Sequence, residues 1–192
     1  MNTHMMKKLL MLLTLPALAG CLSSSPLAVT SWTVDYAGAK TSSDGAKYGV
    51  ARLLQVAVRS PYAGAPVAVL RVDGSIAFDA YNTFASPPAQ LVKGLAYDAA
   101  NASGLFSSVV GSSSAAASRV TIEAEVVKLA LDCRKEGERR AVAQVRVRLI
   151  DGRDIVATVV GEGAEDASGG NYGAAFSTAL SAAFASAFGL LK

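Results

Sequence analysis

The sequence predicts a single α+β domain in which a mixed, mostly antiparallel β-sheet carries two main helices on one face. Short segments that alternate apolar and polar residues predict the strands, because successive side chains of a strand point to opposite faces. Two longer segments repeat apolar residues every three or four positions, which is typical of helices. The order is four strands, a helix, four strands and a second helix. This order gives an α+β domain.

The first four strands are predicted at residues 31–36, 48–59, 67–72 and 75–78. The apolar residues of the second strand fall mostly on one face, namely Val50, Leu54, Val56 and Val58. Asp73 and Gly74 separate the third strand from the fourth. This pair suits a two-residue hairpin turn in which both residues take a positive φ.

The first helix is predicted to begin at Ser86 and Pro87, because serine caps helices and proline suits the first helical position. Its apolar face repeats Leu91, Leu95 and Ala99, and it ends near Gly104. Extended structure resumes at 105–109, where the strand after the helix could pair in parallel. The Gly, Ser and Ala residues of 111–118 predict a mobile loop.

Three further strands are predicted at 119–131, 140–150 and 154–161, followed by a helix at about 172–191. In the middle strand apolar residues alternate with Arg146 and Arg148, so one face is buried and the other is solvated. An anionic-lipid patch is the alternative for these arginines. We interpret Gly161 and Gly163 as turn glycines.

The last helix carries an apolar stripe with a spacing of four residues, formed by Phe176, Leu180, Phe184 and Phe188. Residues with this spacing lie on one face of a helix. We expect the stripe to pack in the core, and a surface for an oligomer or a lipid is the alternative.

The first twenty residues predict a secretory signal. Lys7 and Lys8 precede an eleven-residue apolar run at 9–19, and small residues precede Cys21. A membrane-spanning helix would need about 20 apolar residues. The segment ending Leu18-Ala-Gly-Cys21 resembles the lipobox of bacterial lipoproteins, in which the cysteine takes a diacylglycerol and the peptide before it is removed. We therefore expect a signal peptide at 1–20, a lipidated tether at 21–29 and the domain at 30–192.

The residue after Cys21 is leucine rather than aspartate. Lipoproteins retained in the inner membrane of many enteric-type bacteria carry aspartate there. The resemblance therefore implies export to the periplasmic face of the outer membrane.

Composition argues against several functional classes. The chain has 18 basic and 15 acidic side chains, and Lys7 and Lys8 leave with the signal, so the mature net charge is +1. No clustered basic face suggests nucleic-acid binding. The only histidine is His4, within the predicted signal, so the mature chain lacks the commonest general base and metal ligand. We expect no enzymatic activity, no cofactor and no metal site.

Cys133 is expected to be a packed small hydrophobic residue rather than a reactive thiol. Cys21 is committed to lipid, so Cys133 has no partner for a disulfide within the mature chain.

Several motifs resemble those of the ABC-type transport auxiliary lipoproteins, the family that includes PqiC. They are a Pro-Tyr turn, two strands, an aromatic-rich segment ending in proline, and a helix closing with Ser-Gly-Leu-Phe and a valine. The matching positions are Pro61, Tyr62, Phe78, Tyr81, Phe84, Pro87, Pro88, Leu91, Ser103, Gly104, Leu105, Phe106 and Val109. The resemblance covers about residues 48–191 and the lipobox. Where the family usually has Trp-Ala-x-Pro, this chain has Phe84-Ala-Ser-Pro87.

The resemblance implies a part in lipid traffic through the bacterial envelope. Family members accompany an ABC ATPase, a permease and an MCE-domain protein that carries phospholipid or other hydrophobic cargo. We expect a docking or guiding module, with Phe78, Tyr81 and Phe84 as candidate partner-binding residues and with homo-oligomers among its assemblies. The alternative for these aromatics is that they staple the hairpin to the helix. Rival functions are an independent lipid-binding carrier and a structural envelope-assembly lipoprotein.

Overall fold

The computed structural model describes residues 28–39 and 45–192. The predicted signal peptide and most of the predicted tether, including Cys21, lie outside the described residues. The elements follow the predicted order, and their bounds are β1 Thr30–Trp32, β2 Tyr48–Val58, β3 Pro66–Leu70, β4 Ile76–Phe84, α1 Pro88–Ala102, β5 Phe106–Gly111, β6 Val120–Asp132, β7 Arg140–Asp151, β8 Asp154–Asp166 and α2 Tyr172–Gly189.

The eight described strands form one mixed sheet organised around β6. One edge of β6 pairs along its length with β7, antiparallel, and β7 pairs in turn with β8. The other edge of β6 pairs in parallel, first with β2 and then, near its end, with β3. Strand β5 flanks β2 in parallel, which confirms the predicted parallel pairing after the first helix. On the other side, β4 flanks β3 and the short β1 flanks β4.

Both helices pack on one face of this sheet, and the predicted α+β class is confirmed. Helix α2 lies over β7 and β8, and α1 lies over β2 and β5 and touches α2. The aromatic stripe of α2 is buried as predicted, since Phe176, Phe184 and Phe188 are at most 2% exposed. We call the uncovered side of the sheet the open face.

Helix α2 approaches β8 very closely, and this corrects the interpretation of two glycines. Gly161 and Gly163 lie within β8 rather than in a turn. A Cβ on Gly161 would overlap the backbone carbonyl oxygen of Ala183, and one on Gly163 would overlap that of Ala179. Glycine in a strand marks a close backbone approach. These two residues let the alanine-rich side of α2 lie against the sheet.

Strand β2 contains an irregularity that the alternation did not reveal. The register shifts between Leu53 and Gln55. Ala51, Leu53 and Val56 are buried, whereas Leu54 is 40% exposed. The prediction that Leu54 shares the apolar face with Val56 is therefore wrong. An extra residue in one strand moves every later side chain to the other face.

The β3–β4 hairpin also differs in detail from its prediction. Leu70 pairs with Ile76, and the amide of Gly74 donates to the carbonyl oxygen of Arg71 at 2.9 Å. Only Gly74 in this turn has a positive φ, at 81°. This is the pattern of a longer loop with a glycine bulge rather than of a two-residue turn.

The first strand ends earlier than predicted. Residues 33–37, which we call the strap, then cross α2. The backbone amides of Asp35 and Ala37 donate to the hydroxyl oxygens of Ser177 and Ser181, at 3.0 and 2.8 Å. Val34 of the strap is buried in the core. The backbone amides of the strap therefore donate hydrogen bonds to a helix and not to a neighbouring strand.

Helix α1 begins one residue later than predicted. Pro87 occupies the cap position without a side-chain hydrogen bond, and Pro88 is the first helical residue. Ser86 therefore does not cap the helix. The end is as predicted, since Gly104 follows the helix with a φ of 70°.

Candidate functional site

The candidate partner-binding aromatics lie on β4, and the structure separates them. Phe84 is 4% exposed and packs edge-on against Phe176 of α2, with ring centroids 5.2 Å apart. Phe78 and Tyr81 are 52% and 49% exposed. Phe84 therefore staples the hairpin to a helix, which was the alternative interpretation, although the helix is α2. Only Phe78 and Tyr81 are accessible to a partner. Cys21, the candidate lipidation site, lies outside the described residues.

Asp79 shapes the part of β4 between the two exposed aromatics. Its carboxylate accepts the backbone amides of Tyr81 and Asn82, at 2.8 and 3.1 Å, and the side-chain amide of Asn82 at 2.9 Å. The register of β4 against β3 is irregular here, because Ala68 pairs with Phe78 whereas Pro66 pairs with Thr83. Aspartate side chains bond nearby backbone amides in this way where the sheet ladder is interrupted.

The exposed aromatics lie on the open face. Phe78 is paired directly with Ala68, which belongs to a small apolar cluster with Leu70 and Ala130 that is separate from the core under the helices. Paired residues of adjacent strands share a face. Alternation back from the buried Phe84 places Tyr81 on the same side.

An apolar strip therefore follows this edge of the sheet. It consists of five exposed residues, which we call the hairpin patch: Val29, Val72, Ile76, Phe78 and Tyr81. Val29 precedes β1, whose first residue Thr30 pairs with Asn82. The described chain thus begins beside Tyr81.

The middle of the open face is charged and internally paired. Glu125 accepts hydrogen bonds from Arg59, at 2.8 and 3.0 Å, and from Arg146 on β7. Burial alone would raise the pKa of the Glu125 carboxyl, but the hydrogen bonds and charges of Arg59 and Arg146 outweigh burial and hold the pKa below its ordinary range. Arg148 lies 3.8 Å from Glu123. A shallow groove of about 350 Å³ runs between these side chains.

This pairing accounts for the arginines that the sequence analysis singled out. Arg146 and Arg148 face solvent and are neutralised by glutamates of the neighbouring strand. The pattern matches the solvated sheet face predicted for them. A cationic surface for anionic lipids would need basic residues that are not already paired.

The sequence analysis missed the part played by Arg52. Its guanidinium donates to the backbone carbonyl oxygens of Gly111, Ser112, Ser114 and Ala116 and to the hydroxyl of Ser118. These hydrogen bonds from the partly buried Arg52 hold together the backbone of the loop that the sequence predicted as mobile. The sequence of the loop does not indicate that Arg52 is its partner, because Arg52 lies about sixty residues earlier, on β2.

Cys133 is partly buried and packs against the main core. Burial raises the pKa of its thiol above the ordinary range. A protonated thiol is a poor nucleophile, which agrees with the packing role predicted for it.

Residues 28–39 and 45–192 contain no cluster of three or more His, Cys, Asp or Glu that could hold a metal ion. Neither helix in the described part of the chain is long and apolar enough to span a bilayer.

The fold is shared with solved structures, at low sequence identity. A crystal structure of protein XCC0632 from Xanthomonas campestris, described under the family DUF330, has a TM-score of 0.63 and 16% identity and covers 86% of this chain and 93% of its own. A second crystal structure, of an uncharacterized protein, has a TM-score of 0.55 and 14% identity over 84% and 97% of the two chains. These likenesses establish the fold.

A weaker likeness links the chain to PelC from Paraburkholderia phytofirmans, a dodecamer in its crystal, with a TM-score of 0.45 and 13% identity over 74% of this chain and 91% of that chain. No family model matches the sequence. No curated protein sequence matches it either.

Proposed function

We propose that the mature protein is an auxiliary lipoprotein of an ABC-type lipid transport system. Acyl chains on Cys21 hold it at the periplasmic face of the outer membrane, where it docks or guides the far end of a conduit formed by an MCE-domain protein. The ABC ATPase and the permease belong to the same system, and phospholipid is a candidate cargo. The protein has no hydrolytic activity of its own.

The observation that carries this proposal is the agreement between motif and fold. Several residues of the motif that resembles the auxiliary lipoproteins have clear roles in the fold. Gly104 follows the end of α1 with a positive φ. Leu105, Phe106 and Val109 are buried where β5 joins the sheet. The same fold occurs in the structure described under DUF330. That family corresponds, distantly, to the ABC transport auxiliary lipoproteins.

The lack of a histidine after His4 supports a non-catalytic role, because histidine is the commonest general acid or base. The carrier alternative needs an enclosed apolar space for an acyl chain. The cavity between the ends of the two helices and the strap is about 120 Å³. Ligand pockets usually measure about 300–1,000 Å³. This cavity is smaller than that range, and the larger groove on the open face is lined mainly by charged side chains, so neither of these two spaces favours the carrier function.

Affinity capture tests the proposal directly. The tagged lipoprotein is purified from the membranes of its own host in mild detergent, and its partners are identified by mass spectrometry. We expect an MCE-domain protein and an ABC component. A tagged Cys21→Ala protein, secreted but without lipid, is the matched control for anchoring.

If the catch repeatedly lacks MCE and ABC components while the purified protein extracts phospholipid from vesicles, the carrier function replaces the docking function. A catch of outer-membrane assembly or pilus components would instead favour the structural role.

A further inference from the structure

We propose that the hairpin patch rests on the lipid bilayer, so that the domain lies against the membrane with its β1–β4 edge down instead of hanging freely from its anchor. The inference rests on the lipid anchor at Cys21 proposed above. The patch consists of Val29, Val72, Ile76, Phe78 and Tyr81, and the occupant is a phospholipid surface.

The first argument is the short reach of the tether. Ala28, the first described residue, comes seven positions after Cys21. At about 3.3–3.6 Å per residue, a fully extended chain spans at most about 25 Å. A domain of this size is about 40 Å across, from the usual scaling of radius with length. The sheet edge at which the chain enters the domain is therefore held close to the bilayer.

The second argument is that this edge carries a strip of exposed apolar side chains, with the exposed charges of Arg71 and Asp73 confined to the hairpin turn. The chain enters beside Tyr81, because Thr30 pairs with Asn82. Strands β1 and β4 run in parallel, so the direction back along the chain from Thr30 is also the direction along β4 toward Phe78 and Ile76. These residues are 52% and 40% exposed, and Val72 at the turn is 72% exposed. Tyrosine and phenylalanine are typical of surfaces that enter the headgroup region.

The third argument concerns the rest of the open face. The ion pairs of Glu125 with Arg59 and Arg146 lie farther into the sheet, on β6, on β7 and at the residue that follows β2. Charged groups belong in water and apolar groups at the boundary with lipid. The change from apolar edge to paired charges fits a domain that meets the bilayer along one edge.

A second group of exposed apolar residues, Ile155, Val156 and Val160, provides a natural comparison. It lies on β8, at the opposite edge of the sheet. Ile155 is paired with Ile150 and, through it, lies level with Thr121, whereas the hairpin lies level with Asp132 at the other end of β6. Eleven residues of strand separate these levels, which is about 36 Å. The patch and Ile155 are thus at opposite corners of the sheet.

Quenching by brominated lipid distinguishes the two corners. The chain has one tryptophan, Trp32, so the parent protein supplies the baseline. Phe78→Trp places a reporter in the hairpin patch and Ile155→Trp places the matched control at the opposite corner. Each full-length lipoprotein is reconstituted into vesicles of phosphatidylethanolamine and phosphatidylglycerol containing brominated phosphatidylcholine. We expect the added fluorescence of Phe78→Trp to be quenched about two-fold or more relative to Ile155→Trp.

Val72→Trp repeats the measurement if Phe78→Trp fails to fold, because a turn residue tolerates substitution more easily. Equal quenching at both corners, or none, in protein that floats with the vesicles would overturn the inference. Shielding of position 78 that grows with protein concentration, without lipid quenching, would assign the patch to a second copy, and shielding only in host membranes would assign it to a protein partner. Protein that carries no acyl chains by intact mass and does not float would refute the anchor itself, and the inference with it.

Discussion

At the scale of single residues, two aromatics of one strand have opposite roles. Phe84 fills the space between β4 and Phe176, whereas Phe78 stands half exposed on the open face. We expect Phe84→Ala to lower the free energy of unfolding by about 3–5 kcal/mol, the usual cost of removing a buried phenylalanine. Phe78→Ala is the matched control and should change it by no more than about 0.5 kcal/mol. Denaturant midpoints of the chain from Ser23 onward measure both.

A loss of partner binding in Phe84→Ala with unchanged stability would contradict this assignment and return the residue to an interface. The sequence identified the three aromatics but did not show that Phe84 is buried whereas Phe78 and Tyr81 are exposed. Strict alternation would put Phe78 and Phe84 on one face, since they are six residues apart. The bulge held by the Asp79 carboxylate shifts the alternation, and its hydrogen bonds are visible only in the folded chain.

Glu125 makes the stability of the open face depend on pH. Its lowered pKa means that the folded state favours the ionised carboxylate. Its contribution is therefore fully present above the ordinary glutamate pKa and is lost as the pH falls through the lowered value. We expect Glu125→Gln to be less stable than the parent by about 0.5–1 kcal/mol near neutral pH, the usual worth of a surface ion-pair network.

The difference should vanish as the pH falls below the lowered pKa of Glu125, where the parent carboxyl also becomes protonated. Urea unfolding of both proteins over this range measures it. A constant difference at every pH would mean that packing, rather than the charge pair, is lost.

At the scale of elements, the close contact between α2 and β8 requires glycine at position 161. A methyl group at Gly161 has no room against the carbonyl of Ala183. We expect Gly161→Ala to lower the free energy of unfolding by about 1–3 kcal/mol, the usual cost of overpacking. Gly94→Ala is the matched control, because Gly94 is exposed on α1 with open space around it, and helical alanine should stabilise by about 0.5–1 kcal/mol.

Thermal unfolding of the two variants beside the parent decides the point. Equal stabilities for Gly161→Ala and the parent would mean that α2 can slide along the sheet. The periodicity of α2 and the order of elements could be predicted, because both depend on local patterns. Gly161 was misread because a strand glycine and a turn glycine look alike until the helix that needs the space is in place. The strap and the loop around Arg52 were missed for the same reason, since their partners are distant in sequence.

At the scale of the whole molecule, the fold fixes where the chain enters the domain, at the β4 edge of the sheet. The strap binds the entering chain to α2, and β1 binds it to β4. We expect Cys21→Ala to abolish acylation and to release the protein from the membrane fraction. Intact-mass analysis and fractionation of cells expressing each form test this. A wild-type protein whose Cys21 carries no lipid would contradict the prediction.

The residue after Cys21, the cysteine proposed to carry lipid, should decide which membrane receives the molecule. Leu22 is expected to permit transfer to the outer membrane, and Leu22→Asp is expected to retain the protein in the inner membrane of an enteric-type host. Leu22→Ala is the control, because it changes the side chain without adding a charge. Density-gradient separation of the two membranes, with immunodetection of the protein, measures the distribution. Since position 22 lies before the described fold, the three proteins should unfold alike, so a shift seen only with aspartate reflects sorting. Retention of all three in one membrane would contradict the expected outer-membrane location.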